Sequence, residues 1–338
     1  MTDPQSTSHQ PDERTRRKRR YNERMQIATP IKRLARPDTL PPFRITERDI
    51  AILRAIGQFR FLSSHQVQRI VGGSERGVRN RLRNLFAHGY LDRPQHQRAE
   101  LAGFLNPPRV YGLGKHGARL LADIGRPIDH RLDWTTKNTR ATSPFLAHTI
   151  EVAEVMMAFT SACHESATQL VDHHELLPLM PEATRDVHDP FALRVKFRWH
   201  SKDVVVAVVP DRLFALVYPD ARHNFALELD RGTMDINAKR IIGKSSFRRK
   251  LLGYFHAWHE KRHTDVWGFK SFRILTVTTS ETRIGNMIAA QRDVVASCPA
   301  GLFLYSTAER LAHHGALGPA WVTSRGDNVS LFHGNREQ

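Results

Sequence analysis

Residues 74–86 read Ser74-Glu-Arg-Gly-Val-Arg-Asn-Arg-Leu-Arg-Asn-Leu-Phe86, and the spacing within this stretch decides how the N-terminal half folds. Serine is a residue type whose side-chain oxygen accepts from the free N–H groups that open a helix. Wound at about 100° per residue, the stretch divides into two faces. Val78, Leu82, Leu85 and Phe86 fall on one, and Arg76, Arg79, Asn80 and Arg83 on the other. One side is expected to seal a core and the other to present guanidinium groups and an amide to solvent.

The pattern extends on both sides. Thr46 with Asp49 is a capping box that opens a helix through Ile50, Leu53 and Ile56 to Gly57, and Ser63 with Gln66 opens a shorter one ending at Gly72-Gly73. Gly89-Tyr90-Leu91 starts a strand, Val110-Tyr111-Gly112-Leu113 is its partner across a Pro-bounded loop, and Gly114 to Ile124 forms a closing helix. This order resembles a winged helix-turn-helix. The resemblance implies that the Ser74 helix enters the major groove, with Arg76, Arg79, Asn80 and Arg83 facing bases or phosphates. Arg93, Arg98 and Arg109 would flank the wing. Winged helices also bind proteins, so the basic stripe is what favours DNA.

Charge agrees with that choice. The first 144 residues carry 28 Lys/Arg against 13 Asp/Glu, and the remaining 194 carry 23 against 21, so most of the formal +17 lies in the N-terminal half. Such an asymmetry is the footprint of a polyanion-binding domain beside one with another task. Residues 1–40 lack periodicity and contain Arg16-Arg17-Lys18-Arg19-Arg20, a run that cannot pack. They are expected to form a disordered basic arm lying along phosphates or in a minor groove.

Two cysteines, Cys163 and Cys298, exclude a disulfide framework and a cysteine zinc ribbon. The longest aliphatic run, Val204 to Val209, is far too short for a membrane span. The polar, arginine-rich N-terminus lacks the apolar stretch of a secretory signal. The expectation is a cytoplasmic, nucleoid-associated bacterial protein with no membrane partner and an oligomeric state left open.

The expected division is a winged-helix domain over 45–125, a linker over 126–143, an α/β domain over 144–323 and a tail over 324–338. In the third part Pro144 to Cys163 is strongly helical. Strand-like segments follow at 169–176, 193–199 and 203–209, with a hairpin of 212–218 and 223–230 turning at Pro219-Asp220-Ala221. A long helix over 238–263 precedes a strand at 273–278, a helix at 283–295, a strand at 302–305 and a helix at 308–313. Helix, antiparallel strands, then alternating helix and strand describe a mixed central sheet.

Two acidic clusters fall on that sheet. Val204-Val-Val-Ala-Val-Val209 runs into Pro210-Asp211, and Asn224-Phe-Ala-Leu-Glu-Leu-Asp230 ends in two acids. Strand alternation puts Glu228 and Asp230 on one face, about 6.5–7 Å apart. With Asp211 from a neighbouring strand they are the hard oxygen ligands that Mg²⁺ or Mn²⁺ prefers, and such an ion could promote phosphodiester hydrolysis.

The arrangement resembles the PD-(D/E)xK nuclease fold, a restriction-endonuclease-like architecture, with Pro210-Asp211 as its first motif and Glu228 as its second acid. The lysine usual two residues later is Asp230 here. The resemblance implies a lysine supplied from the following helix, where Lys250-Leu-Leu-Gly-Tyr254 lies; Lys239 and Lys244 are nearer in sequence but poorly placed by periodicity. Asp211, Glu228 and Lys250 are thus the expected catalytic residues. The order of pieces also resembles the replication-relaxation family of plasmids and other mobile elements. The match rests on Val110-Tyr-Gly-Leu-Gly-Lys-His-Gly117, Val209-Pro-Asp-Arg-Leu-Phe214, Leu227-Glu-Leu-Asp-Arg-Gly-Thr233 and Lys250-Leu-Leu-Gly-Tyr254. It implies double-stranded DNA as partner, with replication or mobilisation proteins beside it, and a nuclease-like domain that is either active or a non-enzymatic remnant.

A rival pattern shares the same helix. His259-Glu260-Lys261-Arg262-His263 satisfies H-E-x-x-H, in which two His hold zinc and Glu is the base. The two cations inside it and Asp265 just after it suit a solvated helix end, so zinc is not the expected cofactor. The doublets His173-His174 and His313-His314 lack ligand spacing and are expected on the polar surface.

Overall fold

The computed structural model describes residues 35–40, 42–97, 108–125, 133–199, 201–236 and 246–332. The Arg17, Lys18, Arg19 and Arg20 arm, Arg98, Lys239 and Lys244 lie outside the described residues.

Helix α1 (Glu47–Phe59) starts where Thr46 donates to Asp49 Oδ2 through its backbone N–H (2.8 Å) and hydroxyl (2.7 Å). Asp49 is fully buried and also accepts from Arg81, so a capping carboxylate ties the first helix to the third. Strand β1 (Phe61–Ser63) leads into α2 (Ser64–Val71), which Ser63 and Gln66 close with a reciprocal box at 3.2 and 2.9 Å. Gly72 and Gly73 turn the chain with φ of +68° and +86°, a region where side chains are strained. Helix α3 (Glu75–Ala87) then begins with Ser74 accepting from Gly77 N (3.2 Å). Strands β2 (Leu91–Asp92) and β3 (Val110–Leu113) complete an antiparallel sheet in the order β1-β3-β2, and α4 (Lys115–Asp123) follows. The three-residue β1 is an addition to the sequence reading, too short to show alternation.

The segment expected as a linker contains α5 (Trp134–Thr139). Its buried Asn138 donates to Leu113 O (2.7 Å) and Asp92 Oδ2 (3.2 Å), fastening it to β3 and β2. Helix α6 (Ser143–His164), with Pro144 in its first turn where a missing N–H costs nothing, crosses to the second half.

There β4 (Gln169–Asp172) ends earlier than the strand expected over 169–176, because Asp172 and Glu175 form a capping box that starts the short α7 (His173–Leu176). After α8 (Glu182–Arg185), β5 (Leu193–Trp199) and β6 (Lys202–Val208) pair only with each other, as an antiparallel ribbon. Next come β7 (Arg212–Val217) and β8 (Arg222–Leu229), the expected hairpin. The long helix expected over 238–263 is divided among the described residues into α9 (Phe247–His259) and α10 (Arg262–Trp267). Lys261, at φ +56°, breaks it. Then follow β9 (Arg273–Thr278), α11 (Glu281–Val294), β10 (Phe303–Thr307), α12 (Ala308–His314), β11 (Trp321–Val322) and β12 (Asn328–Val329). Seven strands form one mixed sheet in the order β12-β11-β10-β9-β8-β7-β4, in which β8, β9 and β10 run parallel. The fold is mixed α and β. Among the described residues no helix is long and apolar enough to cross a membrane.

Each sheet face has its own core. One face, with Phe214, Phe225, Leu227 and Leu275, packs on α6 in a cluster that continues without interruption through Ile52, Leu82 and Leu121 of the N-terminal helices. The other face, with Leu213, Ala226, Ile274 and Phe303, packs on α9 and α11, and the β5–β6 ribbon covers α9 from outside. Gly253 makes that cover possible: a Cβ there would meet Val208 Cγ1 at 2.6 Å and Val206 Cγ1 at 2.9 Å.

Candidate functional site

The two acids at the β7–β8 end of the sheet are brought together by register. Arg212 pairs with Leu227 across the hairpin, and Asp211 N donates to Leu227 O (2.9 Å). The Asp211 carboxylate turns back to accept from Leu229 N at 2.7 Å through Oδ2, while Oδ1 lies 3.0 Å from His148 Nε2 on α6. Glu228 points to the opposite sheet face from Leu227, as alternation requires, toward α9. There Lys250 Nζ donates to Oε2 and the Tyr254 hydroxyl donates to Oε1 (2.5 Å). Lys250 and Tyr254 are one turn apart on α9 and so reach the same carboxylate.

Electrostatics distinguish the members. Glu228 is only 5% exposed, and burial pushes its pKa up to about 7; Lys250 pulls it back, while the nearby Asp211 charge adds to the rise. Lys250 is raised: burial opposes its charge, but the Glu228 and Asp211 carboxylates favour it more. His148 is also raised, chiefly by its bond to Asp211, against desolvation. Lys250, His148 and Asp211 keep side-chain exposures of 30%, 28% and 18%, so the cluster opens to solvent on their side. Behind it a pocket runs inward between Phe247, Leu251, Phe303 and Met234.

Asp230 takes a different course. It accepts from Arg283 Nη2 (2.8 Å) and Nε and from Thr278 Oγ1 (2.6 Å). Burial would raise its pKa, but these donors hold it below the ordinary carboxylate value. Of the three carboxylates expected as ligands, Asp230 thus lines the same pocket as Glu228 and Lys250 but is also paired with a guanidinium 53 positions away in the chain. Among the described residues no three His, Cys, Asp or Glu side chains form a group placed to hold a metal ion. Carboxylates such as Asp211 and Glu228 are the donor type that a hard ion keeping most of its water, such as Mg²⁺, takes.

The chain belongs to the replication-relaxation family. The family model matches residues 53–269, which include Asp211, Glu228, Lys250, Tyr254 and His148 but not Arg283. Membership associates the chain with replication or relaxation of plasmids and mobile elements. No curated protein and no solved structure matches the chain.

Within the family span, the rival H-E-x-x-H pattern falls apart. His259 ends α9, Glu260 faces His256 at 3.4 Å, and buried His263 begins the next helix, with Nδ1 3.3 Å from Ala257 O. The left-handed Lys261 between them destroys the one-turn spacing on which that motif depends. The histidine doublets divide. His313 and His314 are exposed as expected, whereas His173 and His174 are half-buried beside Asp172 and Arg212.

On α3 the expected faces hold: Val78, Leu82 and Leu85 are fully buried, and Arg76, Arg79, Asn80 and Arg83 are exposed. Arg79 lies 3.4 Å from Glu75 and Arg83 donates to Asn80 Oδ1 at 3.3 Å, loose surface contacts that a ligand would displace cheaply. Arg109 is exposed at the start of β3. Arg93, expected to flank the wing, is half-buried. Its guanidinium lies 4.0 Å from the Phe86 ring centroid and 5.3 Å from that of Tyr111, and burial lowers its pKa. His148, which the sequence reading missed beside Asp211, is a polar residue in the middle of a helix apolar nearly all round, and that was its only signal in the sequence.

Proposed function

We propose that this family member is a duplex-DNA-binding protein of plasmid or mobile-element replication, relaxation or mobilisation, reading DNA through α3 of a winged helix-turn-helix. The observation that carries the reading is the division of α3 into a sealed apolar face and an exposed Arg76, Arg79, Asn80 and Arg83 face. The antiparallel β1-β3-β2 sheet with α2 and α3 before β2 supports it, since it is the layout of a recognition helix followed by a wing. Arginine and asparagine also make the commonest bidentate contacts to guanine and adenine. The test is a binding-site selection followed by substitution. Arg79→Ala, Asn80→Ala or Arg83→Ala should relax preference at particular base positions, at about 1–3 kcal/mol for each bidentate pair removed. Uniform weakening over all sequences would restrict these residues to phosphates, and unchanged binding would overturn the reading.

A second reading, divalent-metal-dependent DNA cleavage by a nuclease-like second half, is favoured by the convergence of Asp211, Glu228 and Lys250. Asp211 and Glu228 would hold Mg²⁺ or Mn²⁺, which supplies Lewis-acid stabilisation of charge on phosphate. Lys250, half in water, would give up its bond to Glu228 and bind a phosphate oxygen. His148, whose pKa the bond to Asp211 raises, would offer a proton to a departing oxygen.

A further inference from the structure

The C-terminal half is nearly neutral as a whole, yet its cations are not evenly spread. On the β5–β6 ribbon the inward positions Leu193, Val195, Phe197, Val204, Val206 and Val208 are buried against α9. The outward positions of β5 are Arg194, Lys196 and Arg198, all exposed. Their cross-strand partners are Ala207, Val205 and Asp203. The outer face is thus a row of three cations repeating every second residue, about 6.6–7 Å apart; Lys202 is exposed at the ribbon's tip, in register with the inward positions. Asp203 is the single acid among these outward positions, and it pairs with Lys196 at 2.8 Å. Arg194, Arg198 and Lys202 make no ion pair among the described residues. Val205, in the middle of the face, is 60% exposed.

Charge of either sign would keep the free edges of this ribbon from pairing with another chain. The excess of one sign is what calls for a polyanion. We propose that the outer face of the β5–β6 ribbon is a second nucleic-acid contact, on which Arg194, Lys196 and Arg198 hold the phosphate backbone of duplex DNA. A two-stranded antiparallel ribbon is one of the shapes a major groove admits, and here its far side is backed rigidly by α9. The row also has a direction. Arg194 pairs with Ala207, just before Val209-Pro210-Asp211, so the end of the row carrying Arg194 lies toward the Asp211 and Glu228 cluster and the Arg198 end lies away from it. DNA lying along the row would be led to that cluster. Gly253 sets the ribbon directly on the helix that carries Lys250 and Tyr254.

The inference rests on the reading of the chain as a duplex-DNA binder, and the experiment separates the two. Binding of the full chain to duplex DNA is measured against salt for the wild type, for Arg194→Ser/Lys196→Ser/Arg198→Ser, for Arg194→Lys/Arg198→Lys, and for Arg79→Ala/Arg83→Ala. The serine variant should bind about tenfold or more weakly at low salt. Its log–log salt slope should be lower by roughly 0.9 for each phosphate no longer neutralised. The lysine variant should keep the wild-type slope, and all should melt with the wild type because the changed residues are exposed. A serine variant with unchanged slope beside a weakened Arg79/Arg83 variant overturns the ribbon proposal and leaves the α3 reading standing. The reverse result overturns the α3 reading and supports the ribbon. A wild type without salt-dependent duplex affinity overturns both.

Discussion

Asp172 and Glu228 are carboxylates on the same sheet, 3% and 5% exposed, each paired to a cation, and their acidities move in opposite directions. Asp172 is surrounded by donors. Arg212 reaches it with Nε at 2.7 Å and with Nη2, Gln58 Nε2 donates to it at 2.7 Å, and its neighbour His173 N donates at 2.7 Å. Burial works against its charge, but Arg212 and these bonds hold its pKa far below the ordinary value. Glu228 has Lys250 and Tyr254, and it faces the negative Asp211; burial prevails and its pKa rises to about 7. A buried acid completely supplied with donors is a fastening, here between β4, β7 and the end of α1. A buried acid that is under-supplied and beside another acid is poised to change partners or protonation.

The largest effect should follow from breaking the fastening. Asp172→Ala leaves the Arg212 guanidinium, 9% exposed, without its counter-ion at the junction of the two halves. Removing one partner of a buried pair costs about 3–5 kcal/mol, and urea unfolding should show a loss of that order. Since Arg212 also donates to Gln58 O at 3.0 Å, the N-terminal helices should loosen first, visible as faster amide exchange in α1. A loss under about 1 kcal/mol would mean that water replaces the carboxylate readily, and the contrast with Glu228 would fail.

A smaller effect is expected from pH, where the two regions act with opposite sign. Burial, then the Arg212 charge, lower the His173 pKa to about 4, against 6.5 in the unfolded chain. Between these values the unfolded chain binds the extra proton, so stability falls as pH falls from 6.5 toward 4. Glu228 binds its proton in the folded chain at about 7 and in the unfolded chain at 4.5, so it adds stability as pH falls through that window. Each contribution reaches at most about 3 kcal/mol. In wild type they largely cancel between pH 6.5 and 4.5. Melting of His173→Gln across that range should rise toward low pH, and melting of Glu228→Gln should fall more steeply than wild type. Parallel curves for all three proteins would remove the assigned acidities.

These two regions also mark what a sequence can disclose. Helix starts were legible because caps are local: Thr46 with Asp49, Ser63 with Gln66 and Ser74 each lie within one turn of the N–H groups they serve. The direction of Glu228 was legible because strand alternation sets it opposite Leu227, whereas Lys250 entered only through the resemblance to nucleases that take a lysine from the following helix. What escaped depends on contacts between distant positions. Arg283 neutralising Asp230, His148 reaching Asp211 from α6 and Asn138 fastening α5 to β3 connect residues with no periodic relation. Arg93 looked like a surface cation because its type is usually exposed, and only the facing rings of Phe86 and Tyr111 explain its burial.

The smallest change in stability should come from the substitution that bears most on function. Glu228→Gln keeps the shape and an oxygen to accept from Tyr254, and it removes a charge that burial already disfavours. It also relieves the repulsion with Asp211. Lys250 loses its counter-ion, but at 30% exposure it can turn to water or to Asp211. Measured near pH 4.5, where the folded chain already holds the Glu228 proton, the net shift in unfolding free energy should lie within about 1 kcal/mol of wild type. Function should separate from stability here. If the cluster is a cleavage site, this substitution or Asp211→Asn abolishes Mg²⁺- or Mn²⁺-dependent nicking of supercoiled DNA, while duplex binding through α3 is unchanged. The metal-induced rise in melting temperature should disappear with it, which detects ion binding even where turnover is slow. His259→Ala and Glu260→Gln, on the solvated end of α9, serve as controls and should alter neither reading. Equal nicking by wild type and Glu228→Gln would show that the poised carboxylate is not part of the chemistry. A wild type that neither nicks nor gains stability from either ion would overturn the cleavage reading and leave the proposal of DNA binding through α3 to be tested by itself.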